Sequence, residues 1–142
     1  MNQPQKLAEE LNKEFPNPKL EAIGKFSCCV LTLMWYLGID QSDIDAIMTV
    51  ASLIDSKVID DECLVYWFPT VEALTGRKLK NVSEVPITSI KKIKGKAIVK
   101  FQNGSQFHWG GVENGKVVFD PKGNSKTIAE GKHVLIKVLK FY

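Results

Sequence analysis

Residues 107–120, FHWGGVENGKVVFD, decide how the second half of the chain folds. Two short runs of apolar, β-branched and aromatic residues flank Asn114-Gly115, the dipeptide that most strongly indicates a two-residue β-hairpin turn. Similar runs lie before and after this stretch. The sequence therefore predicts an antiparallel sheet with strands at 97–101, 107–113, 116–119 and 134–141.

Helical patterns precede this β-rich part. Leu7, Leu11 and Phe15 recur at four-residue steps, which predicts a short helix stopped by Pro16 and Pro18. Three further helices are predicted from capping residues at their ends. They are a buried helix from Cys28 to Leu37 after Ser27, a helix with an apolar stripe from Ile44 to Ile54 after Ser42, and a short helix after Thr70 that ends at Gly76.

The order of these elements indicates one α+β domain over residues 1–142. Helices dominate up to Gly76 and strands follow, whereas an alternating βαβ order would indicate a parallel sheet. A chain of 142 residues can bury roughly two-thirds of its unfolded surface in one core, and no repeat or linker interrupts it. We therefore expect N-terminal helices to pack on a C-terminal antiparallel sheet.

Charge and cysteine content narrow the class of protein. The chain has 19 Lys and Arg against 16 Asp and Glu, and Arg77 is its only arginine, which argues against a nucleic-acid partner. No apolar run is long enough for a membrane span, and the first residues lack the apolar core of a signal peptide. Three cysteines, two of them adjacent, indicate thiols in a reducing compartment. We expect a cytoplasmic protein that binds neither nucleic acid nor membrane.

Cys28 lies where a thiol gains nucleophilic character. It begins the predicted helix after Ser27, where the helix dipole and unpaired amides stabilise a thiolate. A cysteine hydrolase also needs a histidine to exchange the proton and a carboxylate to orient that ring. His108 and Asp120 fall near the open end of the predicted hairpin, where cross-strand neighbours are roughly 4.5 to 5.5 Å apart. The hairpin therefore predicts a His108–Asp120 pair that one docking event brings to Cys28.

Two segments resemble a known group of enzymes. Residues 27–34, SCCVLTLM, place a cysteine at a helix start with Thr32 four residues after Cys28, and they are similar to the nucleophile helix of the peptidase C39-like branch of the papain-like superfamily. Residues 108–121, HWGGVENGKVVFDP, resemble the histidine strand, turn and Asp-Pro strand of that branch. Together the two segments cover about a sixth of the chain. The resemblance implies a papain-like fold.

The resemblance also implies roles for three residues. Cys28 would be the nucleophile, His108 the general base and acid, and Asp120 the residue that orients His108. The branch often has a glutamine about six residues before the cysteine that completes the oxyanion hole, whereas this chain has Ala22 there. Loss of one such donor costs about 10²- to 10³-fold in turnover. Amides at the helix start and the Gln102-Asn103 loop are the alternative donors.

Other interpretations of these residues stay open. Cys29 is a rival nucleophile, because one helical step turns a side chain by about 100° and only one of the two thiols can face His108. Unpaired cysteine is also a common core residue, and a zinc site formed by the three cysteines and His108 would lack the usual loop spacing. His133 is predicted to be a strand-edge residue rather than a second base. The run Cys63–Phe68 is predicted to be core or one wall of a groove.

Two functions from different classes remain. The first is a thiol hydrolase that cleaves a peptide, isopeptide or side-chain amide bond through an acyl-enzyme. The second is a catalytically inactive papain-like module that binds or inhibits a partner, for example in a phage or host-interaction setting, and the missing glutamine favours it. Neither function requires a cofactor or a metal. In both, the expected partner is a peptide or a protein.

Overall fold

Helices come first and strands second in the computed structural model, which describes residues 1–142. The helices are α1 (Pro4–Glu14), α2 (Pro18–Phe26), α3 (Cys28–Tyr36), α4 (Asp43–Asp55), α5 (Trp67–Thr75) and α6 (Lys126–Glu130). The strands are β1 (Leu79–Pro86), β2 (Lys96–Asn103), β3 (Gln106–Glu113), β4 (Lys116–Phe119) and β5 (Lys132–Phe141). None of the helices has both the length and the apolar character needed to cross a membrane.

All five strands form one antiparallel sheet in the order β1-β5-β2-β3-β4. The α+β class and the four predicted strands are thereby confirmed. β3 and β4 form the predicted hairpin, and Asn114 and Gly115 have the positive φ angles of 50° and 82° that its turn requires. The sequence pattern does not predict β1, an edge strand whose residues are mostly exposed.

A helix that the sequence pattern does not predict, α2, precedes the adjacent cysteines. α1 ends at Glu14, before the two prolines that are predicted to stop it. Pro18 also begins α2, because the fixed backbone angle of proline suits the first helical turn. The Asn17 side chain caps α2 by accepting hydrogen bonds from two first-turn amides. The segment before Cys28 is therefore a helix.

The prediction that the Ser27 side chain caps α3 is wrong. Ser27 is the single residue between α2 and α3, and its hydroxyl donates a hydrogen bond back to the carbonyl oxygen of Ile23. A hydroxyl bonded to the preceding turn is not available to cap the next helix. α3 nevertheless starts at Cys28 and ends at Tyr36. Cys28 therefore follows a break between two helices that are consecutive in the chain.

The two remaining helix predictions have different outcomes. Ser42 caps α4, because its hydroxyl oxygen accepts a hydrogen bond from the amide of Asp45 at 3.1 Å. α5 begins at Trp67 rather than after Thr70, whose buried hydroxyl has no hydrogen-bond partner. Gly76 ends α5 in the left-handed conformation, with a φ angle of 71°. The prediction for α4 is confirmed, and Thr70 is not a cap.

Two hydrophobic clusters cover the two faces of the sheet. The larger cluster joins the helical half to one face and includes Met34 of α3 and Ile98 of β2. The smaller cluster, on the other face, is formed by Ala97, Val99, Phe101 and Val112 and is covered by isoleucines from α6, from β5 and from residues 87–93. Because both cores lie on the central strand β2, they fix the sheet beneath the helical half.

α3 packs on the sheet at a glycine. A Cβ atom added to Gly111 of β3 would lie 2.6 Å from two ring atoms of Trp35 in α3. The Trp35 ring is stacked in parallel on Phe119 of β4, with 6.0 Å between the ring centroids. The close approach of Trp35 to the β3 backbone therefore sets how near α3, and with it Cys28, comes to the hairpin.

Candidate active site

His108 of β3 and Asp120, which directly follows β4, lie side by side at the open end of the hairpin. Nε2 of His108 is 2.8 Å from Oδ1 of Asp120. Both side chains are nearly buried, with 5% and 9% of their surfaces exposed. The structure thus brings together the two residues for which the hairpin predicts a pair.

Two backbone amides hold the Asp120 carboxylate in place. The amide of Lys122 donates to Oδ1 at 3.0 Å, and the amide of Ser125 donates to Oδ2 at 2.8 Å. Burial alone would raise the pKa of Asp120, but the hydrogen bonds from His108 and from these amides outweigh burial and lower the pKa. Asp120 is therefore a fixed negative charge beside the His108 ring.

The Cys28 side chain lies close enough to the His108 ring to raise the pKa of that ring. Because Nε2 contacts Asp120, Nδ1 is the ring nitrogen left for the sulfur. Burial disfavours a charge on the ring and lowers its pKa, but hydrogen bonding to Asp120 and Cys28 outweighs burial and raises the pKa of His108 from 6.5 to about 9. At neutral pH the ring is therefore an imidazolium between a carboxylate and a thiol.

The other two cysteines are held in the protonated form. Burial raises the pKa of Cys29 well above its ordinary value, and the neighbouring Cys28 adds to this effect. Burial also raises the pKa of Cys63 to about 12. The Cys63 sulfur lies 4.0 Å from the carbonyl oxygen of Ala22. Among the three cysteines, Cys28 is thus the one that contacts the histidine.

The structure does not bring a side-chain amide from either predicted position to Cys28. Ala22 has no amide in its side chain and offers only backbone groups. Gln102 donates its side-chain amide to the carbonyl oxygen of Gly104 at 2.9 Å, and this loop lines a depression separate from the one at Cys28. The amides of the first turn of α3 have no partner within the helix, so they are the oxyanion donors nearest to Cys28 in the sequence.

A cleft of about 460 Å³ opens beside Cys28 and Cys29. Aromatic side chains from α5 and β3 line it, namely Trp67, Phe107 and Trp109. Charged side chains are interspersed with these rings, namely Lys25, Asp60, Glu62, Lys100 and Lys137. The run Cys63–Phe68 contributes four of the lining residues, in agreement with the prediction that it is core or one wall of a groove.

The lysines of the cleft are site residues that the sequence pattern does not predict. Lys100 interrupts the apolar run AIVKF at 97–101, which becomes the central strand β2. Lys137 similarly stands between Ile136 and Val138 in β5. Lysine is rarely placed in the interior of a sheet unless its charge has a role or a partner. A lysine inside an otherwise apolar strand pattern is the sequence signal by which both residues could have been found.

His133 takes no part in this site. Its Nδ1 accepts a hydrogen bond from the amide of Ile90 at 3.2 Å, and its ring packs edge-on against Phe101. It lies near the start of β5, which pairs with β1 and β2 and is therefore an interior strand. No group of three or more His, Cys, Asp and Glu side chains is arranged to hold a metal ion.

Comparison of the chain with protein-family models, with curated proteins and with solved structures gives no match. The site contains a thiol, a protonated imidazole and a buried carboxylate side by side. Cysteine hydrolases activate their nucleophile with the same three groups.

Proposed function

We propose that the protein is a papain-like thiol hydrolase that cleaves a peptide, isopeptide or side-chain amide bond. Cys28 is the nucleophile, His108 is the general base and acid, and Asp120 orients His108. The observation that carries this proposal is the buried His108 ring, held by Asp120 at 2.8 Å, with the Cys28 side chain close enough to raise the pKa of the ring. The hairpin does not need this pair in order to form, because its turn at Asn114-Gly115 lies at the opposite end.

The reaction proceeds through a thioester. The Cys28 thiolate attacks the carbonyl carbon of the substrate, a carbon–sulfur bond forms, and the carbonyl oxygen becomes an oxyanion. The carbon–nitrogen bond then breaks, and His108 gives its proton to the leaving amine. His108 next takes a proton from water, the resulting hydroxide attacks the thioester, and the carbon–sulfur bond breaks. The acid product leaves, and the Cys28 thiolate and the protonated His108 ring are restored.

Asp120 makes His108 suitable for both steps. Its carboxylate binds Nε2, so that Nδ1 is directed to Cys28 and the imidazolium form is stabilised. The raised pKa of His108, about 9, keeps the proton on the ring at neutral pH until the leaving amine accepts it. Because backbone amides fix Asp120, the orientation of the ring does not depend on the substrate.

Alkylation by iodoacetamide at pH 7, with the labelled cysteine identified by mass spectrometry, tests the site without a known substrate. We expect Cys28 to react at least about tenfold faster than a free cysteine, because it lies at a helix start beside the protonated His108 ring, the setting typical of reactive cysteines. Cys28→Ser should abolish the fast labelling, Cys29→Ser should retain it, and His108→Ala should slow it. Fast labelling that survives in Cys28→Ser and disappears in Cys29→Ser would transfer the role to Cys29.

A second candidate is a papain-like module that binds a partner without cleaving it. The observation that favours it is Ala22, which leaves the oxyanion hole without the side-chain amide of the resembling enzymes. The variant Ala22→Gln discriminates the two, with Ala22→Met as a control of similar size. For a hydrolase, Ala22→Gln should raise turnover of a fluorogenic peptide library by up to about 10²-fold. A reactive Cys28 with no turnover in either the wild type or Ala22→Gln would establish the binding module.

A further inference from the structure

The cleft beside Cys28 contains a lysine that forms no ion pair. Lys100 of β2 lines the cleft, and its Nζ lies 4.2 Å from the centroid of the Phe107 ring and 5.8 Å from that of Trp109. None of the ion pairs in the structure includes Lys100. Aromatic faces attract an ammonium group but do not neutralise it. Lys100 therefore presents a net positive charge to whatever enters the cleft.

The neighbouring lysine, Lys137 of β5, is different because it is neutralised. Its Nζ is 2.7 Å from Oε1 of Glu84, and its side chain is only 11% exposed. The hydrogen bond to Lys137 lowers the pKa of Glu84, so this carboxylate is ionised at neutral pH. Lys137 also lies over the Trp67 ring, 4.9 Å from its centroid. The pair supports one wall of the cleft, and the Glu84 carboxylate is taken up by Lys137.

Two other charged residues of the cleft also have partners, whereas Glu62, like Lys100, forms no ion pair. Lys25 binds Glu21 one helical turn earlier at 2.8 Å. Asp60 accepts hydrogen bonds from two amides of its own loop, those of Glu62 and Leu64, both at 2.9 Å. Lys100 is therefore the one lysine of the cleft without a carboxylate partner, and it lies among the aromatic rings rather than at an exposed rim.

We infer that Lys100 is a specificity residue that binds a carboxylate of the substrate close to the scissile bond, while the rings of Phe107 and Trp109 pack against the apolar part of the same substrate residue. The inference rests on the proposed function, since it assumes that Cys28 cuts the molecule that occupies the cleft. An ammonium–carboxylate pair in a partly dehydrated cleft is a strong, charge-assisted contact. The charges of Lys137 and, to a smaller extent, Lys100 reach the start of α3, where they oppose the rise in the pKa of Cys29 that burial causes.

The carboxylate has two possible sources, and they share one chemistry. It is either the side chain of an aspartate or glutamate next to the cleaved bond or the free carboxyl end of a peptide. In both, a flat anion is placed beside the aromatic rings within reach of the lysine ammonium group. The two sources imply different reactions, cleavage inside an acidic peptide or removal of a terminal residue, so the test has to separate them.

Two alkylating reagents of nearly equal size measure the charge preference directly. Iodoacetate carries a carboxylate and iodoacetamide carries the neutral amide. In the wild type, the ratio of the iodoacetate rate to the iodoacetamide rate at Cys28 should exceed the same ratio for a free thiol. In Lys100→Met, which keeps the aliphatic stem and removes the charge, the ratio should fall by about tenfold. Lys140→Met removes an exposed charge from the same sheet outside the cleft and should leave the ratio within about twofold.

The two rates separate failure of the subsite from failure of the proposed function. If iodoacetamide labels Cys28 no faster than a free thiol, the proposed hydrolase fails. If iodoacetamide reacts fast and the iodoacetate ratio does not depend on Lys100, the carboxylate subsite alone is overturned. An equal loss of both rates in Lys100→Met also overturns the subsite, because the lysine would then act on the thiolate and not on the incoming carboxylate.

Short peptides then distinguish the two sources of the carboxylate. Protection of Cys28 from iodoacetamide is measured with end-blocked peptides that contain Glu or Gln, and with matched peptides that end in a carboxylate or an amide. The acidic member of one pair should protect at a concentration about tenfold lower than its neutral partner, and Lys100→Met should remove the difference. Equal protection within both pairs would overturn the inference.

Discussion

The two halves of the molecule contribute to the candidate site in different ways. The sheet half supplies His108 and Asp120, which are 12 residues apart and are paired by one hairpin. The helical half supplies Cys28, which is far from both in the sequence and reaches the ring only because α3 packs on β3. A local pair can form with the hairpin, whereas the contact of the thiol with the ring depends on tertiary packing. The packing of α3 on β3, called the joint below, is therefore the part of the site that is easiest to disrupt.

The largest effect should come from a methyl group at that joint. In Gly111→Ala the new Cβ would lie 2.6 Å from the Trp35 ring, and stacking on Phe119 prevents that ring from moving away. We expect the free energy of unfolding to fall by about 3 kcal/mol, the upper part of the usual range for overpacking. Urea denaturation measures this loss, and slower alkylation of Cys28 should accompany it.

The adjacent glycine is the matched control. A Cβ at Gly110 would meet the terminal methyl carbon of Ile128 at 2.7 Å, and the end of this side chain can rotate away. The next neighbour, the backbone oxygen of Phe119, lies farther off at 3.2 Å. Gly110→Ala should therefore cost about 1 kcal/mol and leave the alkylation rate of Cys28 nearly unchanged. Equal effects of the two variants would show that the close approach of α3 to β3 does not determine the position of Cys28.

A second test uses pH to weaken the contacts of the His108 ring with Asp120 and Cys28. The pKa of His108 is raised from 6.5 to about 9, so its charged form is favoured by folding. Its contribution to stability is complete below pH 6.5 and is lost as the pH rises through about 9. At about 1.4 kcal/mol per pKa unit, the loss amounts to up to about 3 kcal/mol. Urea denaturation at pH 6 and pH 9.5 measures it.

His108→Gln is the reference for this pH dependence. The variant keeps a hydrogen-bonding side chain but cannot titrate, so groups elsewhere contribute equally to both proteins. The wild type should lose more stability than the variant between the two pH values, with Asp120 and Cys28 as the facing groups that cause the shift. Parallel curves for the two proteins would mean that the ring is not held as an imidazolium.

The same contrast explains which features the sequence predicts. Asn114-Gly115 specifies its turn through two residues that tolerate positive φ angles, and the hairpin then sets the spacing of His108 and Asp120. Ser42 specifies the start of α4 in the same local way. These features depend on residues close together in the chain, and local rules are sufficient for them.

Three features are not predicted, because the residue suits a second role or finds a partner that the sequence pattern does not indicate. The pattern indicates that Pro18 stops a helix, although it also starts α2, because a proline suits both positions. Ser27 has the identity of a cap, but its hydroxyl finds the carbonyl of Ile23 first. Lys100 interrupts an apolar run, yet its ring partners come from another strand and from the fold as a whole. For Pro18 and Ser27 the competing role is local, whereas the partners of Lys100 are visible only once the chain has folded.

The smallest effect concerns Gln5, a fully buried residue of α1 that touches both halves. Its backbone amide donates to the carbonyl oxygen of Pro121, next to Asp120, at 3.0 Å, and its side-chain nitrogen donates to the carbonyl oxygen of Gly24 at 3.0 Å. Gly24 lies in the last turn of α2, where carbonyl groups lack partners within the helix. Gln5 thereby joins the loop after β4 to the helix that leads to Cys28.

Gln5→Met should lower the free energy of unfolding by only about 1 kcal/mol, because two effects of opposite sign partly cancel. The variant loses the hydrogen bond to Gly24, which is worth roughly 0.5 to 1.5 kcal/mol. It also removes Oε1 of Gln5, a buried oxygen without a hydrogen-bond partner, at nearly constant side-chain volume. Lys6→Met, one residue later and exposed, is the control and should change stability by less than about 0.5 kcal/mol. A loss of several kcal/mol in Gln5→Met, with slower alkylation of Cys28, would show instead that Gln5 is a principal support of the joint.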